Sequence, residues 1–323
     1  MKKIYGAVAT TILTLSLASN VSYAESNDNS EQKPELKEDV ITYGGDLNKQ
    51  QKEEVKEKLE AKDDYKSLDV SLSDVSKYTG VNYDHIYSSS VIEPKSFGSG
   101  VDVEIVTPDN ITKVTEAQYT NAAISAGIQN AKIRVASTVE PTTGDGALTG
   151  IVKAYAEEGH ELNPQDVKNA NQEMSDLADI NEQNKDKEGY NDAAMNSAVA
   201  DMKEQIADEK TDNQDVSEDK VRSIVDDVLK EKGLDKAITG DQRNTIYNIM
   251  VNVSNSNALQ NDPKAFKKQI GDYQGQLKQK SGELIDKVKK LNTEDNRNFF
   301  MKIWDAIVEF FRNIIQSILN LFN

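Results

Sequence analysis

The chain has 323 residues with no cysteine, two histidines, and 38 Lys+Arg against 55 Asp+Glu, a formal charge of −17. Those numbers exclude a disulfide scaffold, a Cys-ligated zinc or iron–sulfur site and a cysteine nucleophile. They argue against nucleic acid as a partner, because each phosphate contact needs a cation.

In chain order, Lys2 and Lys3 precede a mostly apolar stretch, and the small residues Ser22 and Ala24 stand before Glu25. This is the pattern of a secretory signal, residues 1–24, cut before Glu25. The stretch is too short and too rich in Thr10, Thr11, Thr14 and Ser16 for a membrane span. Export without cysteine suits a Gram-positive bacterium. The expected location is extracellular, with retention at the cell envelope. Neither a lipoprotein cysteine nor an LPxTG-like sorting motif is present. Residues 25–39 are polar and expected to be a disordered leader.

Order is expected from Val40-Ile41-Thr42-Tyr43, a strand ended by Gly44-Gly45. Asn48 with Gln51 three residues on predicts a capped helix with Val55 and Leu59 on its apolar face. Leu68, Val70 and Leu72 alternate like a short strand. Ile86, Tyr87, Val91 and Ile92 predict another, and Val101, Val103 and Ile105 alternate with Asp102 and Glu104 as a half-buried strand. Phe97-Gly98-Ser99-Gly100 between them reads as a hairpin turn. Thr115 with Gln118 caps a helix that Gly127 ends, and Ile133 and Val135 follow as a strand. A strand, a helix and a strand in sequence point to a βαβ-type crossover.

From about 145 the period becomes helical. Leu148, Ile151, Val152 and Tyr155 share one face, and Gly159 ends the pattern. Residues 151–239 hold 23 acids and 11 bases, so this region carries most of the acidity. Val221, Ile224, Val225, Val228 and Leu229 form a stripe between Ser217 as cap and Gly233 as stop, and Ile246, Ile249, Met250 and Val253 repeat it. The polar stretch from Asp179 to Glu188 reads as an internal linker. Residues 263–290 reverse the charge, with eight lysines against three acids, and Phe266, Ile270, Tyr273 and Leu277 make a coiled-coil-like seam. The expected fold is α+β. A small mixed β-sheet with helices occupies 40–160, and the C-terminal half is helical: an acidic region 161–255, a basic region 263–290 and an amphipathic helix 298–323.

The segment from Val114-Thr115-Glu116-Ala117-Gln118-Tyr119 through Ser125-Ala126-Gly127-Ile128 and Ala131-Lys132-Ile133-Arg134-Val135-Ala136 to Ala147-Leu148-Thr149-Gly150-Ile151-Val152-Lys153-Ala154-Tyr155 resembles the DUF1002 family of secreted Gram-positive proteins. Gly44-Gly45-Asp46-Leu47 fits the start of that pattern, and the Thr239 to Val253 helix fits its end. The similarity spans roughly 40–255 and departs at residues 137–143, where a proline-rich turn is usual and only Pro141 remains. The resemblance implies a shared fold and an extracellular location. It carries no activity.

Candidate chemistry is sparse. His85 and His160 lack a nucleophile elbow, and His160 suits a helix C-terminus. Adjacent acids such as Glu157-Glu158 point apart on a helix, as a solvated face requires. Gly144-Asp145-Gly146 before a helix lacks the Lys and Ser/Thr of a phosphate loop. No calcium-loop spacing occurs. No catalytic, cofactor or metal residue is therefore assigned, and no small-molecule ligand.

The sharpest feature is the C-terminal segment. Phe300, Ile303, Trp304, Ile307, Phe311, Ile314, Ile315, Ile318 and Phe322 fall on one broad helical face, opposite Lys302, Asp305, Glu309 and Arg312. Such a face suits an anionic membrane surface, a hydrophobic partner, a second copy or the protein's own body. Lys264, Lys267 and Lys268 are the expected contacts to an anionic lipid or teichoic-acid surface. The sequence thus favours a non-catalytic envelope protein, with a carboxylate-dependent hydrolase of wall glycans as the alternative. A cleft holding two buried carboxylates about 5–9 Å apart would favour the alternative, and its absence the first reading.

Overall fold

The computed structural model describes residues 36–96, 99–139, 141–187, 189–212 and 215–291, with the side chains of Asp145 and 278–291 outside that description. Residues 1–24, read from the sequence as a signal, residues 25–35 and the segment 298–323 with all nine of its expected contact residues lie outside the described residues. Leu36, at the end of the polar leader, is 5% exposed and belongs to the core, and the Lys37 N–H donates to Glu158 Oε2.

Local sequence chemistry sets most elements. Strand β1 (Val40–Gly44) leads to helix α1 (Lys49–Lys58), which Asn48 and Gln51 start as a reciprocal capping box. Strand β2 (Lys66–Val70) follows, then helix α2 (Leu72–Thr79). Leu72 is thus not the third residue of a strand pattern: Ser71 and Asp74 form a second capping box and turn the chain into a helix at that point. Next come β3 (Ser89–Pro94), β4 (Val101–Ile105), α3 (Glu116–Ser125) and β5 (Ala131–Ala136). Thr115 and Gln118 box the start of α3, and Gly127, at φ 86°, takes the left-handed turn after it.

The sheet is mixed, in the order β2-β1-β3-β5-β4. β1 and β2 pair in parallel, β4 and β5 pair in parallel, and β3 is antiparallel to both β1 and β5. The β4–α3–β5 crossover is the one the sequence predicts. The β3–β4 hairpin is not formed: β5 inserts between those strands, with Val91 opposite Arg134 and Val103 opposite Ile133. The turn signal at 97–100 is local, whereas strand neighbourhood depends on a crossover through α3 that carries β5 back beside both strands.

Helix α4 (Asp145–Glu157) packs on β1, β2 and β3, and α3 covers β4 on the same face. Outside them come α5 (Pro164–Asn184), α6 (Asp192–Asp212), α7 (Glu218–Glu231), α8 (Gly240–Ser254), α9 (Asn257–Asn261) and α10 (Pro263–Leu291). Among the described residues no strand follows β5. α5 runs through Asp179 to Asn184, so most of the polar stretch read as a linker is helix. Asn184 is buried and its amide donates to Ile180 O. One continuous apolar core runs from Val40 in β1 to Tyr273 in α10. On the opposite sheet face, Val55 and Leu59 near α1 pack with Ile41, Tyr43 and Val91.

Candidate functional site

Helix α10 is set on the body by a seam with a polar rim. The backbone breaks at Asp262 (φ −145°, ψ 78°), whose carboxylate accepts the Ala265 N–H at 2.9 Å. Phe266, Ile270 and Tyr273 are 2%, 0% and 3% exposed, and α10 packs against α6 with further contacts to α3 and β4. The residues at spacing four and three form an apolar stripe, and it is spent on the protein's own body. The Tyr273 hydroxyl donates to Ala117 O. On one flank Lys267 Nζ lies 2.5 Å from Asp208 Oδ1, and Gln274 donates to Asp201 at 2.7 Å. On the other, Ser99 and Lys268 meet Asp272, and Gln276 donates to Asp102.

The three lysines of the expected anionic-surface contact therefore sit differently. Lys264 and Lys268 are exposed. Lys267 is half engaged with α6, and its hydrogen bond to Asp208 raises its pKa. Among the described residues no helix is long and apolar enough to cross a membrane.

The histidines occupy turns. His85 Nδ1 is 3.6 Å from Asp46 Oδ1, and its ring stacks on Tyr87 with a side chain 61% exposed. Asp46 is occupied by the turn itself, accepting the Ile86 N–H at 2.7 Å. The nearby Ser89 hydroxyl accepts the Gly44 N–H and donates to Tyr87 O, so it is not aligned on His85. The His160 N–H donates to Tyr155 O just past α4, beyond Gly159 at φ 78°. Gly144, at φ 94°, starts α4. A Cβ on Gly146 would sit 2.8 Å from Ile86 Cγ2, so that glycine serves the close packing of α4 on the segment leading into β3.

A narrow cleft beside α5 brings together two buried carboxylates that sequence reading passes over. Asp166 and Glu173 line it with Ser125, Asn169, Ile249, Asn252, Val253 and Ser256, and its free volume of about 10 Å³ suits one water. Asp166 accepts the N–H groups of Asn257 and Ala258 and so caps α9. Burial raises its pKa against those hydrogen bonds. Glu173 receives the Lys203 ammonium at 2.5 Å and the Ser125 hydroxyl at 2.7 Å. Their spacing of seven on α5 places them on one face, and that spacing is the only signal in the sequence. Lys203, the partner of Glu173, comes from another helix. With their oxygens held by protein donors, neither carboxylate is arranged as a free acid or base for a substrate. Among the described residues no group of three His, Cys, Asp or Glu side chains could hold a metal ion.

Residues 43–273 match the family described as "Protein of unknown function (DUF1002)". The chain is 27% identical over 329 residues to "Uncharacterized protein YpuA" of Bacillus subtilis (strain 168), covering 97% of this chain and 100% of that relative. No solved structure matches. The matched span opens near the end of β1 and closes at the buried Tyr273 of α10, so it takes in strands β2 to β5 and the buried anchors Phe266, Ile270 and Tyr273 of α10. The chain belongs to the DUF1002 family.

Proposed function

We propose that this protein is a secreted, envelope-associated, non-catalytic protein of a Gram-positive bacterium, held at an anionic surface by α10 and the segment 298–323. The observation that carries this reading is where the apolar surface goes. The seam of α10 is buried on α6, and among the described residues Leu72, at 42%, is the one large hydrophobic side chain that stands exposed. Phe300, Trp304, Phe311, Phe322 and the isoleucines between them then find no exposed apolar counterpart on the described body. A lipid interface suits such a face, because each large side chain buried there gains about 1.5–3 kcal/mol. Lys264 and Lys268 add a screened attraction to anionic lipid or teichoic acid. Two buried carboxylates, Asp166 and Glu173, do share the α5 cleft, but their oxygens are taken by the Asn257 and Ala258 N–H groups, the Lys203 ammonium and the Ser125 hydroxyl, and that occupancy supports a non-catalytic role over glycan hydrolysis.

The test is co-sedimentation with phosphatidylglycerol vesicles at low salt. The full mature chain should pellet, a chain ending at residue 297 should stay in the supernatant with its fold intact, and Lys264→Gln/Lys268→Gln should bind more weakly with less salt sensitivity. Full-length protein that stays in solution as a discrete oligomer, converted to monomer by the truncation, would make the segment an assembly helix. Intact mass of the exported protein should correspond to a chain beginning at Glu25.

A further inference from the structure

The interface between α6 and α10 is unevenly charged. α6 contributes Asp201, Glu204 and Asp208. α10 answers with Gln274, which reaches both Asp201 and Glu204, and with Lys267, paired to Asp208 at 2.5 Å. From α7, Lys232 lies 2.5 Å from Asp201, and Glu231 faces the same carboxylate. At the far end, Asp192, the first residue of α6, accepts from Asn196 at 3.0 Å, from Gln118 at 3.5 Å and from Thr115. Tyr190 and, from α10, Tyr273 face it, and Glu116 and Glu173 bring further carboxylates toward Tyr273. Gln269 of α10 is 5% exposed, and its Oε1 is buried without a hydrogen-bond partner.

We infer that the seat of α10 is a charge-sensitive clasp, in which α10 is held most firmly while Asp192 and Glu204 are protonated and loosens from α6 as they ionise. Ionised Glu204 stands beside Asp201 and Asp208, with Lys267 as the opposing cation, and ionised Asp192 is a charge buried in the poorly hydrated ground that Tyr273 faces, so lifting α10 rehydrates both. Burial raises the pKa of both groups, that of Asp192 to about 6, against hydrogen bonds that lower it. For a raised carboxylate pKa, the favourable contribution is complete below the unfolded value of 3.8 and is lost as pH rises through about 6. α10 is the element free to respond, because it is seated by one face and joined to α9 through the non-helical Asp262. The inference concerns the seat alone and holds whatever residues 298–323 touch.

Hydrogen exchange of the full mature chain tests it, read as protection factors so that the intrinsic pH dependence of exchange is removed. Between pH 5 and pH 7.5, amides of 263–277 should lose about tenfold or more in protection, while those of β3 and β5 stay unchanged. Asp192→Asn/Glu204→Gln should keep α10 protected at both pH values. Equal α10 protection at both pH values in the wild type overturns the clasp, as does a pH-dependent loss that the double variant retains. A loss shared equally by β5 also overturns it, as the mark of global destabilisation. If the double variant lacks β5 protection at pH 5 and so has not folded, Glu204→Gln alone, at the partly exposed rim, replaces it. That single variant should shrink the loss, and an undiminished loss counts against the clasp.

Discussion

The Lys203 ammonium lies 2.5 Å from the Glu173 carboxylate with the two side chains 0% and 2% exposed. The lysine also donates to Asn121 O at 2.9 Å, and the glutamate accepts from Ser125, so α3, α5 and α6 are joined through one buried polar knot. Removing one partner strands a charge. Lys203→Met should cost about 3–5 kcal/mol in urea unfolding, whereas Lys203→Met with Glu173→Leu should recover most of that loss. A double variant as unstable as the single one would show that the pair contributes more than its own neutralisation.

Two glycines in helices should respond oppositely to alanine. A Cβ on Gly150 would land well inside contact distance of Thr42 Oγ1, beneath α4 where the sheet approaches most closely. Gly150→Ala should therefore cost about 1–3 kcal/mol, with a lower urea midpoint. Gly240, at the start of α8, has nothing within 4 Å of its Cβ position, and Gly240→Ala should be neutral or stabilising by up to about 1 kcal/mol.

On the outer sheet face Arg134 grips Glu93 through two nitrogens, at 2.8 and 3.1 Å. Burial alone would raise the Glu93 pKa, but hydrogen bonds from Arg134 and Tyr65 together outweigh it and hold the carboxyl below its ordinary 4.5. For a lowered carboxylate pKa, the stabilisation is present above 4.5 and lost as pH falls through the folded value. Wild-type stability should thus drop on acidification below about pH 4.5. Glu93→Gln should lower stability near pH 7 and flatten that drop, as urea midpoints across pH 2.5–7 would show.

Phe266 anchors the α10 seam at 2% exposure. Phe266→Ala should cost about 3–5 kcal/mol if α10 unfolds together with the core. A small change in global stability, with loss of protection confined to 263–277, would mean that α10 opens as a separate unit. Calorimetry and hydrogen exchange on one sample distinguish the two.

Features written in neighbouring residues were legible. The capping boxes at Asn48 and Thr115 and the cap at Ser217 all start helices, and the alternation of Val101, Val103 and Ile105 marks a strand. Features that depend on distant partners were not. Gln118, Asn121 and Ser125 put polar side chains on α3, yet all three are buried, because Asp192, Asn196, Lys203 and Glu173 arrive from α5 and α6 to meet them. The polar run after Asp179 misleads in the same way, since Asn184 satisfies its amide within its own helix. Of the expected contact region, the seam of α10 was read as a stripe, but its burial on α6 could not be, because Asp201 and Asp208 lie more than 50 residues away.

The insertion of β5 between β3 and β4 dictates an order of assembly. β3 cannot close a local hairpin with the strand that follows it, so its inner edge stays open until the chain has passed through β4 and α3 and laid down β5. Bringing such sequence-distant segments together costs loop entropy before any pairing compensates it, which slows collapse of the sheet. During synthesis the same delay leaves the Val91-Ile92 edge uncovered until Ala136 has emerged. That interval is when the nascent chain is most exposed to aggregation.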